Sequence, residues 1–225
     1  MSQSVHSAMI LAAGRGERLR PLTDSTPKPL LRAGGKMLIE YHIARLQAAG
    51  ITRLVINTAW LADKIHAALG DGANYGVSIR YSDEGEALET AGGIIRALPL
   101  LEEPFIVING DVWCDFDFRQ WQQSRWPDEA HLLLVDNPPH HPQGDFALHH
   151  NRLRDSGEPR YTYSGIGLFS KALFAGIPAD RAPLAPLLRR KAREDCISAE
   201  HHAGRWYDIG TAERLDSLHR KLLQT

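Results

Sequence analysis

Short, almost wholly apolar segments alternate with segments of helical periodicity through the first two-thirds of this 225-residue chain. The apolar segments predict buried strands at residues 8–12, 53–57, 77–81, 105–109 and 131–135. The intervening segments predict helices at 38–49, 61–69, 90–98 and 117–123. Apolar strands that are separated by helices are typical of a mainly parallel sheet covered on both faces. The pattern therefore predicts an α/β fold of three layers, α/β/α.

The last third of the chain is less regular. Extended segments are predicted at 145–152, 160–164, 165–170 and 206–209, and helices at 185–193 and 211–223. Thr211 has the residue type of an N-cap for the final helix. No linker rich in glycine and serine divides the sequence, which predicts one domain over residues 1–225 with a small mixed β insertion.

Charge and cysteine content exclude several classes of protein. The formal net charge is −1, so the surface as a whole predicts no nucleic-acid or membrane partner. Cys114 and Cys196 lack metal-ligand spacing, which is typical of a reducing compartment. A polar start and the lack of an apolar run near the roughly 20 residues of a membrane helix predict a cytoplasmic protein. The sequence does not specify the oligomeric state.

Three histidine pairs, at 140–141, 149–150 and 201–202, suggest a metal centre at first sight. Adjacent side chains on a strand point to opposite faces, and no cysteine or carboxylate joins these pairs at zinc-ligand spacing. We therefore expect structural or solvent-facing roles for them.

The segment LAAGRGERLRPLTDSTPKPLL, from Leu11 to Leu31, is glycine-hinged, basic and stiffened by prolines. A dinucleotide-binding fingerprint fails because Leu19 stands where its third glycine belongs, and Gly35-Lys36-Met37 lacks the hydroxyl of a Walker loop. An extended loop over a triphosphate fits better, since Gly14 and Gly16 let backbone amides approach phosphate. A surface turn with incidental basic residues is the alternative.

This segment resembles the signature of the sugar-nucleotidyltransferase family, L-A-A/G-G-x-G-x-R-L-x-P-L-T-x-x-x-P-K-P. Three further elements of that family appear in order: EGEALETAGGI from Glu84, NGDV from Asn109 and WYDIGT from Trp206. The resemblance extends over essentially the whole chain. It implies a Rossmann-like, GT-A-like fold, with residues 8–135 as the nucleotide-binding part and 136–225 as the sugar-binding part with the C-terminal helix. It also implies Mg²⁺ as the cofactor.

Four residues are expected to be catalytic: the resemblance implies the two metal aspartates, and the need to stabilise phosphate charge favours the two cations. Asp111 and Asp208 would bind the metal. Arg15 would bind the β- and γ-phosphates, and Lys28 would contact the α-phosphate. Each has an ordinary structural alternative: Asp111 as a turn residue, Asp208 as a helix N-terminal charge, and the two cations as solvated surface groups.

The resemblance also implies two sets of binding residues. The nucleotide-binding set is Leu11, Ala12, Ala13, Gly14, Arg15, Gly16, Lys28, Glu84, Glu89, Thr90, Gly93 and Asn109. The sugar-binding set is Asn57, Asn109, Gly144, Glu158, Thr162, Ser164 and Gly165. The family's lysine after the sugar-binding glutamate is missing here, since Arg160 stands one place further on.

Among short members of the family, the resemblance points to UTP and N-acetylmuramic acid 1-phosphate as substrates, in peptidoglycan recycling. Two alternatives stay open. One is transfer to another sugar 1-phosphate, by a mannose- or heptose-type guanylyltransferase or a glucose-type enzyme. The other is a nucleotide-binding module that does not turn over. Leu19 disfavours an NAD-dependent enzyme.

Overall fold

The computed structural model describes residues 4–122 and 128–224. Its strands are β1 Ser7–Leu11, β2 Arg32–Ala33, β3 Lys36–Met37, β4 Arg53–Thr58, β5 Ser78–Asp83, β6 Phe105–Asn109, β7 Val112–Cys114, β8 Ala130–Val135, β9 Phe146–His149, β10 Arg152–Arg154, β11 Arg160–Phe169, β12 Ile197–His202 and β13 Trp206–Asp208. Its α-helices are α1 Leu22–Ser25, α2 Leu38–Ala48, α3 Ala62–Leu69, α4 Glu89–Ala97, α5 Arg119–Gln122, α6 Leu184–Arg193 and α7 Ala212–Leu223.

A nine-stranded sheet in the order β5-β4-β1-β6-β11-β8-β12-β10-β9 forms the centre of the molecule. Pairing directions place seven of these strands in one orientation, whereas β10 and β11 run the opposite way. The sheet is thus mixed and mainly parallel, as predicted. Among the described residues, no helix is long and apolar enough to cross a lipid bilayer.

Helices cover both faces of the sheet because side chains alternate along each strand. On β6, Ile106 and Ile108 pack on the face covered by α2 and α3, whereas Phe105 and Val107 pack on the face covered by α4 and α6. The final helix, α7, buries Leu215 and Leu218 in a third, smaller core. The predicted three-layer architecture is confirmed.

The predicted strands and helices of the first two-thirds are present, with ends within about two residues, as is usual for such boundaries. The helix predicted at 117–123 is α5, and Gln123 lies outside the described residues. Thr211 caps α7 as expected, because its side chain accepts a hydrogen bond from the backbone N–H of Arg214.

Three predictions in the last third were wrong or incomplete. The strand predicted at 145–152 is two strands, β9 and β10, joined by a turn in which His150 and Asn151 have positive φ. The strands predicted at 160–164 and 165–170 are one strand, β11, whose register shifts between Tyr163 and Gly167. Strand β12 was not predicted because most of its residues are polar, and earlier in the chain the short strands β2, β3 and β7 were not predicted either.

A buried histidine on α2 makes stability depend on pH. Burial lowers the pKa of His42 to about 4, so the folded chain keeps this imidazole neutral while the unfolded chain protonates it near its ordinary pKa. The unfolded state therefore binds more protons between these two pKa values, and the free energy of unfolding falls as the pH falls through that window.

The free energy of unfolding of the wild type should be lower at about pH 5 than at about pH 7, and we expect His42→Gln to reduce this difference by about 2 kcal/mol. Urea unfolding at both pH values measures this difference. His6→Gln, which changes an exposed histidine, is the control and should leave the difference unaltered. An equal pH dependence in wild type and His42→Gln would contradict the assignment.

Candidate active site

The glycine-hinged segment folds as a compact loop after β1. Gly16 has φ +68°, and a Cβ there would lie 3.0 Å from Thr23 Cγ2 and 3.3 Å from Lys28 Cβ. Thr23 Oγ1 donates a hydrogen bond of 2.9 Å to the carbonyl of Gly16. Gly16 is therefore favoured both for its backbone conformation and because a side chain there would crowd Thr23 and the stem of Lys28.

Lys28 and Asp111 form an ion pair at one edge of the sheet. Lys28 is buried, with 8% of its surface exposed, and its Nζ donates a 2.7 Å hydrogen bond to Asp111 Oδ2. Asp111 follows β6, whose carboxyl end lies beside that of β1 in parallel pairing. In such sheets this edge is where ligands bind.

The short antiparallel pair β7–β13 brings Asp208 next to Asp111. Asp208 is opposite Val112 in this ladder, and the N–H of Ile209 donates a 2.7 Å hydrogen bond to the carbonyl of Asp111. The two predicted metal ligands thus lie on neighbouring backbone segments although they are far apart in sequence. Asp208 pairs with Arg214, and His140 Nε2 lies 3.2 Å from its Oδ1.

A cavity of about 510 Å³ opens above this edge of the sheet. Its lining includes most of the residues predicted to bind nucleotide: Leu11, Ala12, Ala13, Gly14, Gly16, Lys28, Glu84, Glu89, Thr90 and Asn109. Asp111 and Gly210 also line it. The structure therefore brings together residues from both ends of the chain around one space.

Asn57, which was predicted to bind sugar, lies on the Glu84 side of this cavity. Its Oδ1 accepts a 2.8 Å hydrogen bond from the N–H of Ala12, and its Nδ2 donates a 2.6 Å hydrogen bond to Glu84 Oε1. Glu84 Oε2 accepts from the N–H of Leu88. A Cβ at Gly93 would lie 2.5 Å from Glu84 Oε1, so Gly93 makes room for this network behind the cavity wall.

Arg15 contributes no atom to the cavity lining. Its guanidinium pairs with Asp24 at 3.2 Å and stacks on Trp60 at 3.6 Å from the ring centroid. Arg18 lines the cavity instead, and its guanidinium lies 3.4 Å from where a Cβ on Gly210 would be. The signature itself carries the missed signal, because Arg18 fills its fixed arginine position whereas Arg15 fills a variable one.

The remaining predicted sugar residues are dispersed. Gly144 and Glu158 line a second cavity of about 570 Å³. The Thr162 hydroxyl donates to Asn137 Oδ1 at 2.9 Å. Ser164 is fully buried, and Gly165, with φ +78°, packs against the side chain of Asn109.

A third cavity, of about 350 Å³, borders Asp208. It shares Asn137 with the second cavity, and the segment from Asp208 to Gly210 separates it from the first.

Four of the paired histidines face carboxylates. His140 contacts Asp208. His141 contacts Asp145, His201 contacts Asp136 and His202 contacts Asp115. Because neighbouring histidines have different partners, neither pair, 140–141 nor 201–202, forms a joint ligand set.

Cys114, Asp115 and His202 offer ligand atoms within 4.8 Å of one another. Burial raises the pKa of the Cys114 thiol to about 11. Although burial opposes it, hydrogen bonds from His202 and Arg205 hold the pKa of Asp115 below its usual value. Asp115 and His202 are joined by a 2.9 Å hydrogen bond beside the β7–β13 pair.

Comparison with known proteins agrees with this geometry. The model of the nucleotidyl transferase family matches residues 7–148. N-acetylmuramate alpha-1-phosphate uridylyltransferase from Neisseria meningitidis is 53% identical over 218 residues, which cover 92% of this chain and 94% of that protein. The protein of the same name from Caulobacter vibrioides is 34% identical, and the match covers 93% of this chain and 94% of that protein.

The solved structure of the inositol-1-phosphate CTP transferase from T. maritima has a TM-score of 0.84 to this chain at 19% sequence identity. The match covers 100% of this chain and 97% of that structure's chain. At this identity the likeness supports the fold. The family match extends over more than half of the sequence, and the chain belongs to the nucleotidyl transferase family. The predicted family resemblance and enzyme class are confirmed.

The positions of the two arginines predict different effects of substitution. We expect Arg18→Met to raise the KM for the nucleoside triphosphate by roughly 10- to 100-fold, because a charge-assisted contact to phosphate is lost. Arg15→Met should instead lower stability by about 1 kcal/mol through loss of its stacking on Trp60. Steady-state kinetics and thermal unfolding of both variants measure these effects. A larger kinetic loss in Arg15→Met than in Arg18→Met would assign the phosphate contact to Arg15.

Proposed function

We propose that this chain transfers the uridylyl group of UTP to N-acetylmuramic acid α-1-phosphate and releases UDP-N-acetylmuramic acid and pyrophosphate, as an enzyme of peptidoglycan recycling in the cytoplasm. The observation that carries the reaction class is that Lys28 pairs with Asp111 in the lining of the first cavity, while Asp208, in the lining of the third cavity, lies on the backbone segment beside Asp111. The substrate pair is supported by the two uridylyltransferases that match more than nine-tenths of this chain.

Asp111 and Asp208 fit a divalent metal ion. Both supply hard carboxylate oxygens, which suit Mg²⁺. Each carboxylate has a cationic partner, Lys28 for Asp111 and Arg214 for Asp208, and a bound metal would share the carboxylate oxygens with these cations. We propose that the two aspartates hold Mg²⁺. When bound, Mg²⁺ supplies charge neutralisation and orientation of the triphosphate.

The reaction needs positioning more than proton transfer. The second pKa of a phosphate monoester is about 6, so the acceptor is largely dianionic at neutral pH and needs no general base. An acceptor phosphate oxygen forms a bond to the α-phosphorus while the bond from that phosphorus to the leaving oxygen breaks. The bonding electron pair leaves with pyrophosphate, so charge is transferred without a proton.

Cations of this chain would stabilise that charge. Lys28 is buried and paired with Asp111, so little ordering would be needed for it to contact the α-phosphate. Arg18, at the Gly210 side of the cavity, is placed to contact the triphosphate or the departing pyrophosphate. Arg15 remains a predicted contact that requires it to leave Trp60 and Asp24.

The two substrates would occupy opposite sides of Asp208. The first cavity is lined almost entirely by residues from 11 to 111, which supports assignment of the nucleotide to the part predicted at 8–135. The third cavity is lined by residues from 135 to 221, which supports assignment of the acceptor to the part predicted at 136–225. Gly144 and Glu158 would then contact an acceptor that extends past Asn137 into the second cavity.

The substrate pair is tested by pyrophosphate release with Mg²⁺. UTP, GTP, CTP and ATP are each combined with N-acetylmuramic acid, N-acetylglucosamine, glucose or mannose 1-phosphate. We expect fast turnover only with UTP and N-acetylmuramic acid 1-phosphate. Turnover with GTP and mannose 1-phosphate would establish a guanylyltransferase instead. Nucleotide binding without turnover of any pair would support the binding module.

The metal assignment is tested by removing one charge at a time. We expect Asp111→Asn and Asp208→Asn each to lower kcat by at least about a thousandfold, because charge stabilisation by a bound metal is lost. Pyrophosphate release gives the rate, and Mn²⁺ binding in the presence of nucleotide gives the affinity for metal. Asp63→Asn, an exposed carboxylate on α3, is the control. Unchanged rates in both site variants would rule out the two aspartates as metal ligands.

A further inference from the structure

Two guanidinium groups meet at Gly210, on the segment that separates the first cavity from the third. A Cβ on Gly210 would lie 3.0 Å from Arg214 Nη1 and 3.4 Å from Arg18 Nη2. The two arginines come from opposite ends of the sequence and line different cavities, Arg18 the first and Arg214 the third. The space that a side chain would fill at position 210 is therefore approached by two cations, one from each cavity.

The positive charge at this boundary is only partly compensated. Arg214 donates a hydrogen bond from Nη1 to Asp208 Oδ2, and within the described part of the chain its Nε and Nη2 have no hydrogen-bond partner. Arg18 is exposed and makes no ion pair with a carboxylate of the described residues. Because like charges repel at short range, an anion bound at this boundary would be stabilised by both guanidinium groups.

Helix α7 determines where the guanidinium of Arg214 lies. Leu215 and Leu218 are buried in the third core, which fixes the orientation of the helix. The backbone N–H of Arg214 is held by the Thr211 cap in the first turn. The side chain of Arg214 is 27% exposed and lies next to Asp208. A guanidinium held in this way presents a planar fork of N–H donors, the geometry that suits phosphate oxygens.

We propose that Arg214 binds the 1-phosphate of the acceptor, as the counterpart of Arg18 on the side of the leaving pyrophosphate. This proposal rests on the proposed function. In an in-line displacement the entering and leaving oxygens lie on opposite sides of the α-phosphorus. Two cations that lie close together but line different cavities match this arrangement. Arg214 would neutralise the entering phosphate in the third cavity, and Arg18 would stabilise the charge that develops on pyrophosphate in the first.

The ion pair between Arg214 and Asp208 defines the alternative role. In that role Arg214 only orients the carboxylate of Asp208 and touches no substrate. Its loss would then weaken metal binding and leave the affinity for the acceptor phosphate unchanged. The two roles therefore differ in whether the acceptor or the metal responds to substitution.

The contact is tested by steady-state kinetics with each substrate varied in turn. We expect Arg214→Met to raise the KM for N-acetylmuramic acid 1-phosphate by roughly 10- to 100-fold and the KM for UTP by less than about threefold, because one charge-assisted contact to the acceptor phosphate is lost. Arg18→Met should show the reverse pattern. Arg214→Lys, which keeps the charge but not the fork, should restore part of the affinity. Arg220→Gln, an exposed cation on the same helix outside the lining of the third cavity, should behave as wild type.

Calorimetric titration in EDTA separates the two roles of Arg214, because no metal then binds to Asp208. Wild type should bind N-acetylmuramic acid 1-phosphate more tightly than unphosphorylated N-acetylmuramic acid, and Arg214→Met should lose most of this difference. An equal difference in both proteins, or none in wild type, would overturn the contact. Weaker Mn²⁺ binding by Arg214→Met with an unaltered KM for the acceptor would also overturn it and leave Arg214 as a support for Asp208.

The same titrations distinguish this proposal from the proposed function. A chain that transfers uridylyl groups to the muramic acid acceptor but binds it independently of Arg214 would overturn the contact and leave the function intact. If pyrophosphate release identifies another sugar 1-phosphate as the acceptor, the titrations use that compound and its unphosphorylated sugar. A difference that Arg214→Met abolishes would then support the contact and refute the substrate pair, whereas a difference that the variant retains would refute both.

Discussion

The antiparallel pairing of β7 with β13 is the constraint on which the candidate site depends. This three-residue ladder joins the segment after Asp111 to the segment that ends at Asp208, so it turns two distant parts of the sequence into one edge. Side chains reinforce it: Trp113 packs against Tyr207 with ring centroids 5.8 Å apart, and Asp115 accepts hydrogen bonds from Arg205. Without this pairing, the first cavity would lose Gly210, and Asp208 would have no fixed relation to Lys28.

The sequence was sufficient to predict the layers of the fold because burial on both faces leaves a simple pattern. Strands β1 and β6 are apolar except for one terminal residue each, Ser7 and Asn109, and the helices between the strands have a clear apolar face. Strand β12 has no such signal, since its sequence ISAEHH has polar residues at alternate and final positions. It is a strand because β8 and β10 pair with it, and such long-range pairing is not encoded in local sequence.

The sequence predicted the positions of those site residues whose placement depends on the backbone alone. The glycine loop, Asp111 at a strand end and Asp208 before α7 follow from motif spacing. The direction in which the Arg15 side chain points does not follow from motif spacing, because it depends on contacts with Trp60 and Asp24. The acceptor side was least predictable, since its lining combines a loop, a short strand and one face of α7. The comparisons add the family, whereas the roles of individual residues rest on the geometry and its tests.

The hydrogen bond between Ala12 and Asn57 limits how the first cavity can recognise a nucleobase. The amide proton of Ala12 is already engaged by Asn57 Oδ1, and Asn57 is itself held by Glu84. A base that enters this cavity therefore meets Ala12 through its methyl group or its carbonyl oxygen. If a base binds against Ala12, as predicted, the backbone of Ala12 itself offers its carbonyl as an acceptor and no amide donor, and this contact would favour a base edge that presents a hydrogen.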